Sequence, residues 1–240
     1  MRFYKFFISI FLIFTMCFYI TTPVFSEETT YVWSPNNNSL NDYTNDNSSQ
    51  VKETNSEVDE SNSLSLESGS AILIEQTTGQ VLYSHNAHEQ LRPASVTKVM
   101  SILLIMEALD SNKISLTDSV PCSENAASMG GSQIWLDPRE TLTVDEMLKA
   151  ICVNSANDCV VAMSEFIAGS EEAFVQLMND KAKELGMNDT CFKNCHGLDE
   201  DGHVTSAYDI SLMSRELLNN HPSVTNYTTI WTDTLRNRKI

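Results

Sequence analysis

The sequence has few basic residues for its length. It contains 15 Lys and Arg against 32 Asp and Glu, which gives a net charge of −17. Residues 27–69 contribute nine acidic residues against the single Lys52, so much of this charge lies outside the region richest in apolar patterns. A chain this acidic lacks the positive surface that binds phosphate backbones, which excludes nucleic acid as a partner.

The sequence also lacks an even set of cysteines outside its N-terminal apolar run. An odd number does not close into a disulfide framework, and the Cys-x₃-Cys pair at 191–195 has no second ligand pair of the zinc type. We expect buried or loop thiols, with one disulfide between Cys191 and Cys195 as the alternative and metal binding as a third choice. No metal and no cofactor is predicted. The five cysteines are Cys122, Cys152, Cys159, Cys191 and Cys195.

The N-terminal apolar run is short for a membrane span. Arg2 and Lys5 precede an apolar stretch over residues 6–20, and Ser26 follows before the chain turns acidic. This layout predicts a secretory signal peptide over residues 1–26, with an uncleaved membrane anchor as the alternative. The rest of the chain is therefore expected to be exported and to work outside the cytoplasm, with membrane contact only through an uncleaved signal segment.

The remaining chain divides into a spacer and one domain. Residues 27–69 are acidic and rich in Asn and Ser, with almost no apolar periodicity, which predicts a disordered spacer. Residues 70–240 are long enough for one domain with a real core.

Within residues 70–240 the patterns predict a mainly helical body with a β-hairpin at its start. The fold class is α/β of the α+β type. Hairpin strands are predicted at 71–74 and 80–83, helices at 93–109, 143–153, 158–168, 170–185 and 206–219, a break at 154–157, and the start of a strand near 228–235. Arg236, Arg238 and Lys239 are expected to lie at a loose terminus.

The stretch "RPASVTKVMSILLIMEAL" places Ser95 and Lys98 three residues apart at the start of an apolar helix. Positions i and i+3 share a helix face, so the amine can lie beside the hydroxyl. Burial disfavours a charged lysine, which lowers its pKa and makes it a usable base for a serine nucleophile. The alternative is a capping serine beside a solvated lysine.

A second polar cluster, "NSAND", lies in the predicted break between two apolar helices. Ser155 could relay a proton between the lysine and a leaving amine, and the Asn157 amide could hold a substrate carbonyl or brace Lys98. Helix capping is the alternative for this cluster as well.

Ser-x-x-Lys followed by Ser-x-Asn is the signature of penicillin-binding proteins and class A β-lactamases. The segments "TGQVLYSHNAHEQLRPASVTKVM" and "MGGSQIWLDPRETLTVDEMLKAICVNSANDCVVAMSEFIAGS" closely resemble the serine-type D-alanyl-D-alanine carboxypeptidases, the low-molecular-weight penicillin-binding proteins. "FVQLMNDKAKELGMNDTCFKNCHGLDEDGHVTSAYDISLMSREL" continues the resemblance, which runs from about residue 70 to residue 240.

The resemblance implies a β-lactamase/transpeptidase-like fold and an acyl-enzyme mechanism on peptidoglycan stem peptides ending in D-Ala-D-Ala. Ser95 would be the nucleophile, Lys98 the general base, Ser155 the proton relay and Asn157 a substrate contact. β-Lactam antibiotics would acylate the same serine. The enzyme would act in the cell wall or at the outer face of the bacterial plasma membrane. Residues 130–132 match a loop near the family's site, without a catalytic role assigned to them.

One part of the family pattern does not occur in the 240 residues. The family's Lys-Thr-Gly strand, which holds the substrate carboxylate, is missing, and Thr78–Gly79 lies in the first hairpin instead. Loss of one oxyanion donor costs about 10²–10³ in rate. The sequence therefore predicts a C-terminally truncated, partial catalytic domain over residues 70–240 with impaired activity and an incomplete sheet.

Three alternatives remain beside the carboxypeptidase. A non-catalytic cell-wall binding fragment would keep binding without turnover. A class A β-lactamase would need a Glu-x-x-x-Asn loop, but neither Glu184 nor Glu200 is followed by Asn four residues later. A metal peptidase would have to use His196, Asp199 and His203, which a polar glycine-containing loop explains better.

Overall fold

The computed structural model describes residues 66–236 and 238–240. The predicted signal peptide and the predicted spacer up to residue 65 lie outside the described residues. The strands are β1 (Ala71–Ile74), β2 (Val81–His85), β3 (Ser119–Pro121), β4 (Thr141–Thr143), β5 (Thr234–Leu235) and β6 (Arg238–Lys239). The α-helices are α1 (Lys98–Asp110), α2 (Glu124–Ala127), α3 (Val144–Asn154), α4 (Asn157–Ala168), α5 (Glu171–Glu184), α6 (Ala207–Asn220) and α7 (Thr225–Thr228), with 3₁₀ turns at Ala94–Thr97 and Pro222–Val224.

The predicted hairpin forms, and its turn is built around one carboxylate. β1 and β2 pair antiparallel, with Leu73 opposite Tyr83. The Glu75 carboxylate accepts hydrogen bonds from the Thr77 and Thr78 backbone N–H groups at 2.9 and 2.5 Å. The Thr78 hydroxyl also donates to this carboxylate, at 2.6 Å; this bond contributes most, and together the three bonds lower the pKa of Glu75 to about 2. From α6, Arg215 donates to the carbonyls of Gln76 and Thr77 at 2.8 and 2.7 Å, so the turn is held both by its own carboxylate and by the helix packed on it.

Helix α1 runs through the centre of the core. Most of its hydrophobic residues are buried, and Met100, Leu103 and Ile105 are fully inaccessible to solvent. It packs against α4, α5 and α6. A helix that is apolar nearly all round needs such surroundings, because no face of it is suited to water. Lys98 lies in the first turn of this helix and is therefore buried with it.

The break between α3 and α4 lies where the sequence predicts it. The Thr143–Glu146 capping box starts α3: the Thr143 hydroxyl accepts from the Glu146 N–H at 3.2 Å, and the Glu146 carboxylate accepts from the Thr143 N–H at 2.8 Å. Helix α3 ends at Asn154, Ser155 adopts a left-handed conformation (φ 54°, ψ 38°), and α4 begins at Asn157. The junction thus turns sharply within two residues.

Four elements differ from the sequence prediction. β3 and β4 pair although the sequence predicts no strand there, because a three-residue strand is too short to show alternation. Helix α2 was likewise not predicted. The β-type residues near the C-terminal end form α7 first and a strand only at β5, so the predicted strand at 228–235 is wrong over most of its length.

All five cysteines of the described residues are free thiols. Cys122, Cys159 and Cys195 are buried, and Cys152 and Cys191 are half-buried. The alternative disulfide between Cys191 and Cys195 is not formed. Among residues 66–236 and 238–240, no helix is long and apolar enough to cross a membrane.

Candidate active site

Ser95 lies in the 3₁₀ turn that leads directly into α1. The turn spans Ala94–Thr97, and Lys98 is the first residue of the helix. Ser95 is exposed to solvent, whereas Lys98 is 3% exposed. The Lys98 Nζ donates to the Ser95 Oγ at 3.2 Å, within hydrogen-bonding range. The sequence predicted this pair at the start of a buried helix, and the structure brings the two side chains together.

The amine of Lys98 has a second, shorter contact. Its Nζ donates to the backbone carbonyl of His196 at 2.7 Å. Burial lowers the pKa of Lys98 to about 8, and the nearby Cys195 thiol opposes this only in part. An amine with such a pKa is partly neutral near physiological pH, which suits it to accept the proton of a serine hydroxyl.

The loop that carries the His196 carbonyl packs tightly on the serine turn. Gly197 (φ +94°) lies so close that a Cβ built on it would be 1.9 Å from the Ala94 carbonyl oxygen. The Gly197 N–H donates to the Asn194 side-chain oxygen at 2.7 Å. Only glycine permits so close an approach. The contact between Gly197 and Ala94 therefore fixes the distance between the His196 carbonyl and the turn that holds Ser95.

Two buried histidines support this loop. Nδ1 of His203 accepts from the Lys193 N–H at 2.9 Å, so a neutral ring carries its proton on Nε2 and donates to the Thr97 hydroxyl at 2.8 Å. Nδ1 of His196 accepts from the Leu198 N–H at 3.1 Å. Burial lowers the pKa of both histidines.

The same contacts argue against the metal-peptidase alternative. The Nε2 of His196 faces the Glu171 carboxylate at 3.5 Å, both ring nitrogens of His203 are hydrogen-bonded, and Asp199 pairs with Arg92 at 3.0 Å. The three side chains are therefore each engaged with a different protein partner.

Ser155 lies at the junction between α3 and α4, where the sequence predicts it. Among the hydrogen bonds of the described residues, none joins its hydroxyl to Lys98 or Ser95. It is half-buried at the α3–α4 junction, where its left-handed backbone turns the chain towards α4. Its predicted role as proton relay remains a prediction.

Asn157 lines the cleft beside Ser95 and is 3% exposed. Its Nδ2 donates to the Gly130 carbonyl at 2.8 Å, and its backbone N–H donates to the Ser132 carbonyl at 2.7 Å. Its Oδ1 is buried and lacks a hydrogen-bond partner in the described part of the chain. The predicted contact with a substrate or with Lys98 therefore remains a prediction, and in this structure the residue anchors residues 130–132.

The cleft itself has a volume of about 450 Å³. One wall is the serine turn with residues 196–199, and the other is formed by Gly131 and Ser132 together with Asn157. The expectation that Arg236 lies at a loose terminus is wrong. Its guanidinium donates to the carbonyls of Ile134 and Trp135 and pairs with the Glu140 carboxylate at 2.7 Å.

An exposed serine beside a buried amine, at the start of a central helix and across a cleft from a Ser-x-Asn junction, defines the penicillin-binding protein and β-lactamase fold class. The family model described as D-alanyl-D-alanine carboxypeptidase matches residues 53–240. The chain belongs to this family.

Individual relatives agree with this assignment. D-alanyl-D-alanine carboxypeptidase DacF of Bacillus subtilis (strain 168) is 58% identical over 173 residues, which cover 72% of this chain and 44% of DacF. The chain therefore spans less than half the length of that relative.

Solved structures show the same fold. Penicillin binding protein 6B from Escherichia coli is similar with a TM-score of 0.69 and 33% identity, covering 72% of this chain and 56% of that one. Penicillin-Binding Protein D2 from Listeria monocytogenes in the ampicillin-bound form gives 0.65 and 29%, covering 74% and 72%.

Proposed function

We propose that this chain provides the nucleophile and base of a serine-type D-alanyl-D-alanine carboxypeptidase. The observation that carries the proposal is the position of the Lys98 amine: buried, with a pKa of about 8, and 3.2 Å from the Ser95 hydroxyl. A weak nucleophile beside a tuned base is what acyl transfer requires. Membership of a family described by this activity supports the same conclusion.

In the proposed reaction, Ser95 Oγ attacks the carbonyl carbon of the penultimate D-alanine of a peptidoglycan stem peptide. Neutral Lys98 takes the hydroxyl proton, and the new bond joins Oγ to the carbonyl carbon. The C–N bond to the terminal D-alanine then breaks, and the leaving amine receives a proton, which Ser155 relays. Water hydrolyses the acyl-enzyme and restores the serine. No cofactor enters these steps.

A β-lactam would react with the same serine. The Listeria protein was solved in an ampicillin-bound form, which supports β-lactam binding by this chain. We further propose that the chain acts outside the cytoplasm, in the cell wall or at the outer face of the plasma membrane. The signal-like pattern of residues 1–26 and the peptidoglycan substrate support this location.

Covalent labelling tests the proposal directly. The 240-residue chain is incubated with a fluorescent penicillin, and mass spectrometry of its peptides locates the adduct. We expect a persistent label on Ser95 that is lost in Ser95→Ala and kept in Ser128→Ala, an exposed serine at the end of α2. Rapid release of the label would indicate a β-lactamase instead, and absence of any label would indicate a non-catalytic binding fragment.

A second measurement addresses the substrate. Release of free D-alanine from a tripeptide ending in D-Ala-D-Ala, absent in Ser95→Ala, would assign the carboxypeptidase activity to this chain. Labelling by penicillin without D-alanine release would show that the nucleophile is competent but that the carboxylate of the peptide is not held.

A further inference from the structure

The cleft wall opposite Ser95 belongs to a segment, residues 130–136, that has no regular secondary structure. Three of its first four carbonyls are bonded to the α3–α4 junction. Gly130 and Ser132 accept from Asn157, and Gln133 accepts from the Asn154 side chain at 2.9 Å. An irregular segment keeps one shape only when its backbone groups find such partners.

The N–H groups further along the segment are held from the same junction. The buried Asp158 carboxylate accepts from the Ile134 N–H at 3.2 Å and from the Leu136 N–H at 3.0 Å. Ile134 and Leu136 are themselves buried, while Trp135 between them has a left-handed backbone (φ 61°) and is 70% exposed. A non-glycine residue in this conformation costs free energy, so the segment depends on its anchors to stay in place.

Two further carbonyls are held from a different part of the chain. Arg236, about a hundred residues later, donates to Ile134 O and to Trp135 O. The same guanidinium pairs with Glu140, and both side chains are largely buried, at 25% and 21% exposure. The planar fork of arginine can satisfy two carbonyls and one carboxylate together, whereas a lysine ammonium cannot match that geometry.

We propose that Arg236 is a positioning residue for the acylation reaction. Together with Asp158 it forms a clamp on residues 134–136: Asp158 accepts from the Ile134 and Leu136 N–H groups, and Arg236 donates to the Ile134 and Trp135 carbonyls. This clamp holds the Gly131–Ser132 wall at its distance from Ser95. The inference rests on the proposed function, since positioning has meaning only if Ser95 is acylated. Arg236 touches neither Ser95 nor Lys98, so it acts through the wall alone.

The test compares Arg236→Gln with the wild-type 240-residue chain in two measurements. Acylation by a fluorescent penicillin should slow by about 10²-fold, the cost of a wall displaced by about 1 Å. Amide hydrogen exchange should show lost protection at residues 130–136 and unchanged protection in α1. The pH midpoint of acylation should stay at the wild-type value, because the surroundings of Lys98 are unchanged. A general loosening of the fold would instead expose Lys98 and raise that midpoint.

Two further variants control the experiment. Arg236→Lys keeps the charge beside Glu140 but loses the fork, so an intermediate acylation rate is expected. Arg139→Gln removes an exposed arginine that pairs with Asp137 in the adjoining residues without contacting residues 134–135, and should acylate at the wild-type rate.

The outcomes separate this inference from the proposed function. A wild-type acylation rate in Arg236→Gln overturns the positioning role. If that variant does not fold, Arg236→Lys decides, and a wild-type rate there overturns it equally. If the wild-type chain is never labelled on Ser95, the proposed function has failed. The clamp is then judged by exchange alone: unchanged protection at 130–136 in Arg236→Gln overturns it, and lost protection supports it.

Discussion

The Lys98 amine lies closer to the His196 carbonyl, at 2.7 Å, than to the Ser95 hydroxyl, at 3.2 Å. The carbonyl therefore sets the direction in which the amine points. A lysine held in this way keeps one position while its protonation state changes, since the carbonyl accepts a hydrogen bond from either form. The neutral amine uses an N–H for this bond, so its lone pair is free to accept the serine proton.

The first prediction concerns pH. Burial lowers the pKa of Lys98 from 10.5 to about 8, so the amine is mostly protonated below pH 8 and unable to accept the serine proton. The acylation rate constant for a penicillin should rise about tenfold per pH unit up to about pH 8 and level off above it. Lys98→Arg, which stays protonated, should show no such rise. A flat profile of the wild-type chain between pH 6 and 9 would contradict the assignment of Lys98 as base.

The second prediction separates backbone strain from close packing. Gly169 (φ +89°) and Gly197 (φ +94°) both have left-handed conformations, but a Cβ on Gly169 meets nothing within 4 Å, whereas one on Gly197 meets the Ala94 carbonyl. Gly169→Ala should lose about 1 kcal/mol of stability, which lowers Tm by about 2–4 °C. Gly197→Ala should lower Tm further and abolish acylation. Equal effects of the two substitutions on acylation would show that the loop does not position Ser95.

The fold was predictable wherever a local pattern determined the structure. The Thr143–Glu146 capping box, the end of α4 at Gly169 and the hairpin turn after Glu75 depend on residues close together in the sequence, and the structure confirms them. β3 and β4 lie about twenty residues apart and are three residues long, so neither length nor alternation distinguishes them from loop.

The reactive residues of the site could be predicted, but the groups that hold them in position could not. Ser95 and Lys98 meet because helical spacing brings i and i+3 together, which the sequence alone indicates. The His196 carbonyl and the Asp158 carboxylate could not be recognised, because a backbone acceptor leaves no sequence pattern and an aspartate after Asn157 is typical of a helix start. Arg236 depends on a contact across a hundred residues, which no periodicity reveals.

The third prediction ranks the five thiols of the described residues by their rate of alkylation. Burial raises the pKa of Cys122 and of Cys152 to about 11, and raises those of Cys159 and Cys195 well above the usual value. Since the thiolate is the reactive form, these four should react slowly with iodoacetamide at pH 8. The half-buried Cys191 should be modified first. Mass spectrometry of the native chain after brief treatment checks the order, and a urea-unfolded sample, in which all should react alike, is the control. Early modification of Cys195 would show that the loop of residues 194–198 opens readily.

The fourth prediction separates the effect of the Ser155 backbone conformation on stability from the effect of its hydroxyl on acylation. Its left-handed φ of 54° at the end of α3 favours glycine, so Ser155→Gly should gain about 1 kcal/mol, or about 2–4 °C in Tm. Ser155→Ala removes the same hydroxyl without this relief and should not gain stability. If the hydroxyl relays a proton during acylation, both variants should acylate more slowly by about 10²-fold or more. Thermal unfolding and penicillin labelling of the two variants in parallel provide the comparison. Wild-type acylation in Ser155→Ala would show that the residue ends α3 and takes no part in the chemistry.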